Sequence, residues 1–185
     1  MHFDKGNAVH KSLQKITKRL EELGISYAVV GGMAMFFHGY RRFTEDVDIL
    51  VTPEGLKELH LKLEGLGYLP PFPGSKHLRD SEFGVRIEFL TTGDYPGDGK
   101  PKSISFPNPA DAGIDIEGVR ILELPRLIEL KLASGMTNPR RLKDLVDVQS
   151  LIEKLGLPED FANQLHPFVK EKYQEIWKVI QSNPP

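Results

Sequence analysis

Apolar positions recur along the chain with two periods, and the switches between them predict the elements. Val9, Leu13, Ile16, Leu20 and Leu23 follow steps of three and four, which predicts an amphipathic helix over about Asn7 to Leu23 that stops at Gly24. Tyr27 to Val30 reads as a buried strand, Gly31-Gly32 as a turn, and Met33 to His38 as a short apolar helix. Val47 to Val51 is a second strand, and Pro53 opens a helix running to about Leu66. From Phe83 to Leu90 the chain alternates, with Phe83, Val85, Ile87 and Phe89 on one face and Gly84, Arg86, Glu88 and Leu90 on the other.

Thr91 to Gly113 holds four prolines and four glycines, which predicts a long loop with at most a short strand around Ile104, either gating an acceptor through Lys100 and Lys102 or merely mobile. Ile114 to Ile116 and Val119 to Leu122 form a hairpin pattern about Glu117-Gly118. The remainder is helical in pattern: Arg126 to Ser134, then a helix from Pro139 to Leu155 with Asn138 as N-cap, then a stretch opened by Pro158 and broken near Pro167. Tyr173 and Trp177, four apart, read as a packing stripe. No internal repeat or low-complexity tract interrupts this order.

The feature that packing does not explain is "EDVDILV". Residues i and i+2 of a strand face the same way, about 6.5 Å apart, so Asp46 and Asp48 share a face opposite Val47, Ile49 and Val51. Adjacent carboxylates repel, and protonation, a basic partner or a hard divalent cation relieves the repulsion. An isolated Asp-x-Asp is equally the mark of a solvated strand face. Three neighbours add to it. Gly31-Gly32 follows a strand and opens a helix, where backbone N–H groups suit phosphate, although a glycine pair is also a plain turn. Glu88 lies on the polar side of its strand, either paired with Arg86 or completing a three-carboxylate set of the kind two Mg²⁺ ions require. Arg41, Arg42 and Thr44 precede the aspartates, as a solvated loop or as groups that neutralise phosphate.

Composition excludes more than it identifies. At 185 residues the chain fits one domain, or one domain with a helical extension. The absence of cysteine removes disulfides, thiol catalysis and cysteine-ligated metals, and is compatible with a reducing cytoplasm. No apolar run approaches a membrane span, and Met1 to Lys11 lacks the apolar core of a signal peptide, so a cytoplasmic protein without membrane partners is expected. A formal charge of −2 speaks against sequence-independent nucleic-acid binding. The six histidines show no paired spacing that suggests zinc, and His38 on its apolar helix reads as packing at the core edge.

Taken together, "VGG" at Val30 to Gly32, "DVDI" at Asp46 to Ile49 with thirteen residues between, and "IEF" at Ile87 to Phe89 resemble the nucleotidyltransferase superfamily of the DNA-polymerase-beta type. "GGMAMFFHGYRRFTEDVDILV" with the later "LIELKLASGMTNPRRLKDLVDVQSLI" is similar to the prokaryotic stand-alone branch that includes AbiEii-type toxin proteins, over roughly Ile25 to Leu155. The resemblance implies an α+β fold: a small mixed β-sheet with helices packed on one side, followed by C-terminal helices. Residues 1–124 would be the core and 125–185 a helical region packed on it.

By the same resemblance Asp46, Asp48 and Glu88 would be the catalytic and metal-holding carboxylates, with Mg²⁺ as cofactor and Mn²⁺ as the alternative. Gly31 and Gly32 would cradle the triphosphate, with Arg42 and Thr44 beside them. Two departures stand out: many members have serine where this chain has Gly32, and the third carboxylate is glutamate rather than aspartate.

The late segment leaves alternatives open. Lys131, a lone cation among Leu130, Leu132 and Ala133, resembles the family's late cleft lysine and equally suits a snorkelling side chain. Arg140, with Arg141, sits where a helix N-terminus disfavours cations. Either a contact with nucleotide phosphate or a nucleic-acid acceptor offsets that, or Asp144 does, with Lys143 facing Asp147.

The function implied is Mg²⁺-dependent transfer of a nucleoside monophosphate from an NTP, ATP among them, to a hydroxyl on tRNA, a protein or a small molecule. It fits the toxin of a toxin–antitoxin system with an antitoxin partner. The alternatives are a non-catalytic nucleotide- or partner-binding module on the same fold, and a sugar-nucleotide transferase, which leaves Gly31-Gly32 and Glu88 unexplained.

Overall fold

Seven strands form one mixed sheet in the order β3-β4-β5-β2-β1-β7-β6. The computed structural model describes residues 2–185, and side chains from Ala8 onward. Two compact units are distinguished: the chain up to Phe37 with Arg41–Thr92 and Pro107–Leu122, and His38–Tyr40 with Gly93–Phe106 and Glu123–Pro185.

The first unit carries the sheet. Helix α1 (His2–Glu22) buries Val9, Leu13, Ile16 and Leu20, the stripe that the three-and-four spacing predicts. Strand β1 (Tyr27–Val30) is buried along its whole length, and helix α2 (Gly31–Phe37) starts on the first glycine. Strand β2 (Asp46–Val51) runs antiparallel to β1 and parallel to β5 (Arg86–Thr91). Thr52 caps helix α3 (Pro53–Leu63), its hydroxyl accepting from the Gly55 N–H at 3.0 Å, with Pro53 in the first turn. The hairpin of β6 (Gly113–Ile116) and β7 (Val119–Leu122) turns at Glu117-Gly118, and β7 joins β1 in parallel. Helices α1, α2 and α3 pack on the central strands.

Three expectations need correction in this unit. The strand expected from Phe83 begins at Arg86, because the Asp80 carboxylate and carbonyl draw Glu82 and Gly84 into a turn through their N–H groups. Strands β3 (Tyr68–Leu69) and β4 (Leu78–Asp80) were not expected, being too short to show a period. The region expected to be one loop contains helix α4 (Pro109–Ala112), capped by Asn108, and Ile104 is buried without being in a strand. Asp80 is a buried anchor: it accepts from Ser12 at 2.9 Å and from Lys15 at 2.9 Å, tying β4 to α1.

The second unit is helical. Helix α5 (Leu124–Thr137) and helix α6 (Leu142–Leu155) pack together, and α7 (Pro167–Ser182) packs on both. The helix expected from Pro139 starts instead as a 3-10 turn, Pro139–Arg141, capped by the Asn138 side chain. Tyr173 and Trp177 do form a stripe, their donors reaching the carbonyls of Pro158 at 2.9 Å and Leu157 at 3.1 Å. Residues 96–102 are held by the Lys102 ammonium, which donates at 2.7 Å to Pro96 O, Lys100 O and Asp98 Oδ1. Among the described residues no helix is long and apolar enough to cross a membrane.

Candidate active site

The register of the central strands assembles an acidic patch. Val47 and Ile49 are fully buried, so the pleat turns Asp46 and Asp48, both half-buried, to the other face of the sheet. The parallel pairing then sets Asp48 beside Glu88 and Asp46 beside Arg86. Across to β1, Val30 pairs with Asp48, which sets Asp48 beside the residue that precedes Gly31.

Gly31 is where the local conformation and the site meet. Its φ of +66° lies in the left-handed region that favours glycine, and a Cβ there would collide with the Asp48 carboxylate, whose Cγ would be 2.9 Å away. Gly32 is also closely faced. A Cβ on it would meet Thr44 Oγ1 at 3.0 Å and Thr44 Cβ at 3.1 Å, with Arg42 Nη2 at 3.6 Å. Thr44 Oγ1 in turn donates to the Asp46 carbonyl at 3.2 Å. Gly31, Gly32, Arg42, Thr44, Asp46, Asp48 and Glu88 thus fall within one neighbourhood of the first unit.

Electrostatics mark Asp46. Burial pushes its carboxyl above the ordinary carboxylate range, the Glu88 charge adds to the rise, and Arg86 acts against it. Glu88 is engaged: Arg86 Nη2 lies 3.0 Å from its Oε1. The remaining border is also basic. Arg79 pairs with Arg86 across β4 and β5, and its Nη1 donates to Gly84 O at 2.8 Å. The Phe89 N–H donates to His77 Nδ1 at 3.2 Å, which leaves the ring proton on Nε2, and burial lowers the affinity of that imidazole for a second proton. Sequence reasoning missed Arg79 and His77 because β4 gives too few residues to assign a facing side.

The donor set suits a hard divalent cation in its chemistry: oxygen ligands only, two on one strand and a third in register beside them. The bare Cα of Gly31 leaves room for the Asp48 carboxylate, which a Cβ there would strike. The third donor is paired with Arg86, and among the described residues no three acidic or imidazole groups stand together as ligands of one ion.

The late basic residues have their own surroundings. Lys131 is buried on α5 and donates to Asp147 Oδ2 at 2.8 Å, with Asp144 Oδ1 at 3.6 Å. Asp144 also accepts from Ser134 at 2.6 Å and from Arg141 Nε at 3.0 Å, the pairing expected from their spacing. Asp147 is bonded to Lys131 on α5, a partner that the spacing within α6 does not offer, and Lys143 is exposed. Arg140 is exposed, and its backbone N–H, not its guanidinium, engages Asn138 at 3.0 Å.

No protein-family model matches the sequence, and no curated protein is similar to it. Solved structures do share its fold. The crystal structure of ANT(2'')-Ia in complex with adenylyl-2''-tobramycin matches with a TM-score of 0.56 at 15% identity, covering 93% of this chain and 96% of that one. The solution structure of the antibiotic-resistance factor ANT(2'')-Ia gives 0.58 at 16% identity, covering 98% and 95%. An antigenic nucleotidyltransferase-like protein from Paracoccidioides brasiliensis gives 0.55 at 17% identity, covering 97% and 90%. The α+β fold of this chain is therefore that of the nucleotidyltransferases, as the sequence resemblance implied.

Proposed function

We propose that this protein is a metal-dependent nucleotidyltransferase that moves a nucleoside monophosphate from an NTP to an acceptor hydroxyl and releases pyrophosphate. The observation that carries the reading is the Asp48 carboxylate lying against the bare Cα of Gly31 while Glu88 stands in register beside it. Arg42 and Thr44, grouped at Gly32, are suited to hold phosphate oxygens. Asp46, Asp48 and Glu88 would hold Mg²⁺ or Mn²⁺. When bound, the ion supplies charge neutralisation on the attacking and leaving oxygens. The chain's own part is to orient: the acceptor hydroxyl, its proton passing to Glu88 and on to solvent, would attack the α-phosphorus in line, and the groups at Gly32 would keep the pyrophosphate side fixed while the P–O bond to it breaks.

The resemblance to the AbiEii-type branch supports a toxin role, with an antitoxin as partner and tRNA or a protein as acceptor. For Lys131, Arg140 and Lys143 a nucleotide contact rests on that resemblance alone. Calorimetric titration of ATP, CTP, GTP and UTP with and without Mg²⁺, alongside an Asp46→Asn, Asp48→Asn variant, tests the proposal. Binding that needs metal and is lost in the variant supports it. Transfer of labelled NTP to total RNA or lysate protein then identifies the acceptor.

The Arg86–Glu88 ion pair favours a second reading, a nucleotide- or partner-binding module without turnover. No binding of any nucleotide under either condition would decide for a partner-binding module, and binding without transfer to any acceptor would decide for a nucleotide-binding one.

A further inference from the structure

Three acids and one arginine share a two-by-two patch on the exposed face of β2 and β5. Asp46 lies beside Arg86 and Asp48 beside Glu88, with Arg86 and Glu88 two apart on the same face. The arginine does not divide its charge evenly, since its Nη2 lies 3.0 Å from Glu88 Oε1. A like charge pushes it that way: Arg79 is its direct partner across β4 and β5, and side chains of one sign set opposite each other repel. Arg79 itself is tied to Gly84 O and cannot swing clear without losing that bond.

We propose that Arg86 is a positioning residue that holds the Glu88 carboxylate and competes with a divalent ion for it, so that the Arg86–Glu88 pair sets the metal affinity of this face. The inference rests on the metal-dependent reading above. It accounts for three acids of one patch failing to form a three-ligand cluster among the described residues. The pair is open to solvent, with side-chain exposures of 47% and 29%, so it is weak enough for a doubly charged ion to displace.

Calorimetric titration of Mn²⁺ alone into the full chain and into Arg86→Gln tests the inference without requiring turnover. Removing one positive charge next to the acids should tighten Mn²⁺ by about tenfold, the size of one nearby charge acting on a divalent ion at the partly screened surface. The same variant should show a lower melting temperature without metal and a larger upward shift with it. Arg86→Lys should fall between, because it keeps the charge and loses the planar fork, and it carries the test if Arg86→Gln does not fold. Equal or weaker Mn²⁺ binding by the variants, with clear binding by the parent, overturns the inference and leaves the nucleotidyltransferase reading standing. No Mn²⁺ binding by parent or variants, with NTP present or absent, overturns that reading and this inference with it.

Discussion

Gly31 and Asp48 touch across two strands with no side chain between them: a Cβ on Gly31 would overlap the Asp48 carboxylate, and the backbone there is at φ +66°. Gly31→Ala therefore meets strain and collision at once. The expected outcome is a loss of about 1–3 kcal/mol of stability, read by urea unfolding, together with loss of metal-dependent nucleotide binding.

Gly32 is tight in a different way. Gly32→Ser would bring the serine common in the superfamily, but its Cβ would press on Thr44 at 3.0–3.1 Å. A cost on the order of 1 kcal/mol is expected. Adding Thr44→Ala should recover most of it, and a double-mutant cycle that shows no coupling between the two positions would contradict this packing.

The pH dependence of Asp46 has a definite sign. Its folded carboxyl binds a proton more readily than in the unfolded chain, so the folded state carries more protons through the window above the ordinary carboxylate value. Stability is then lost as pH rises through that window. Asp46→Asn should raise the melting temperature at pH 7 and flatten this part of the pH profile. A parent that instead gains stability there from Asp46 would refute the assignment.

Lys131 holds together two buried acids of the helical unit, Asp144 and Asp147. Lys131→Met leaves Asp144 and Asp147 buried without that ammonium, and a loss of about 3–5 kcal/mol is expected in chemical denaturation. A loss below 1 kcal/mol would mean that the lysine is not a structural member of that network.

Lys102 organises residues 96–102 through two carbonyls and the Asp98 carboxylate. Lys102→Gln should speed amide hydrogen exchange in that stretch, at Lys100 N–H above all, while leaving α5 and α6 unchanged. Unchanged exchange at Lys100 would show that the loop is ordered by other means.

Much of this was legible in the residue order, because local period and capping chemistry act over a few residues. The stripe of α1, the Thr52–Pro53 start of α3, the hairpin at Glu117-Gly118 and the sharing of a face by Asp46 and Asp48 are of this kind. The glycine pair, the two aspartates and Glu88 together also pointed to the fold that the solved structures share.

Other features depend on which distant segments meet. Two- and three-residue strands have no period to read, so β3 and β4 were invisible, and with them the Arg79 opposite Arg86 and the His77 at Phe89. Helical spacing offered Asp147 only Lys143, four residues away on the same helix, and the packing of α6 on α5 brought in Lys131 from sixteen residues away. The sequence by itself determined the elements and the acidic face, since backbone periodicity is local. The tertiary structure alone decided strand register and charge pairing: Asp48 beside Glu88, Arg86 turned to Glu88, and Gly31 against Asp48, because each of these needs side chains far apart in the chain to compete for the same few ångströms.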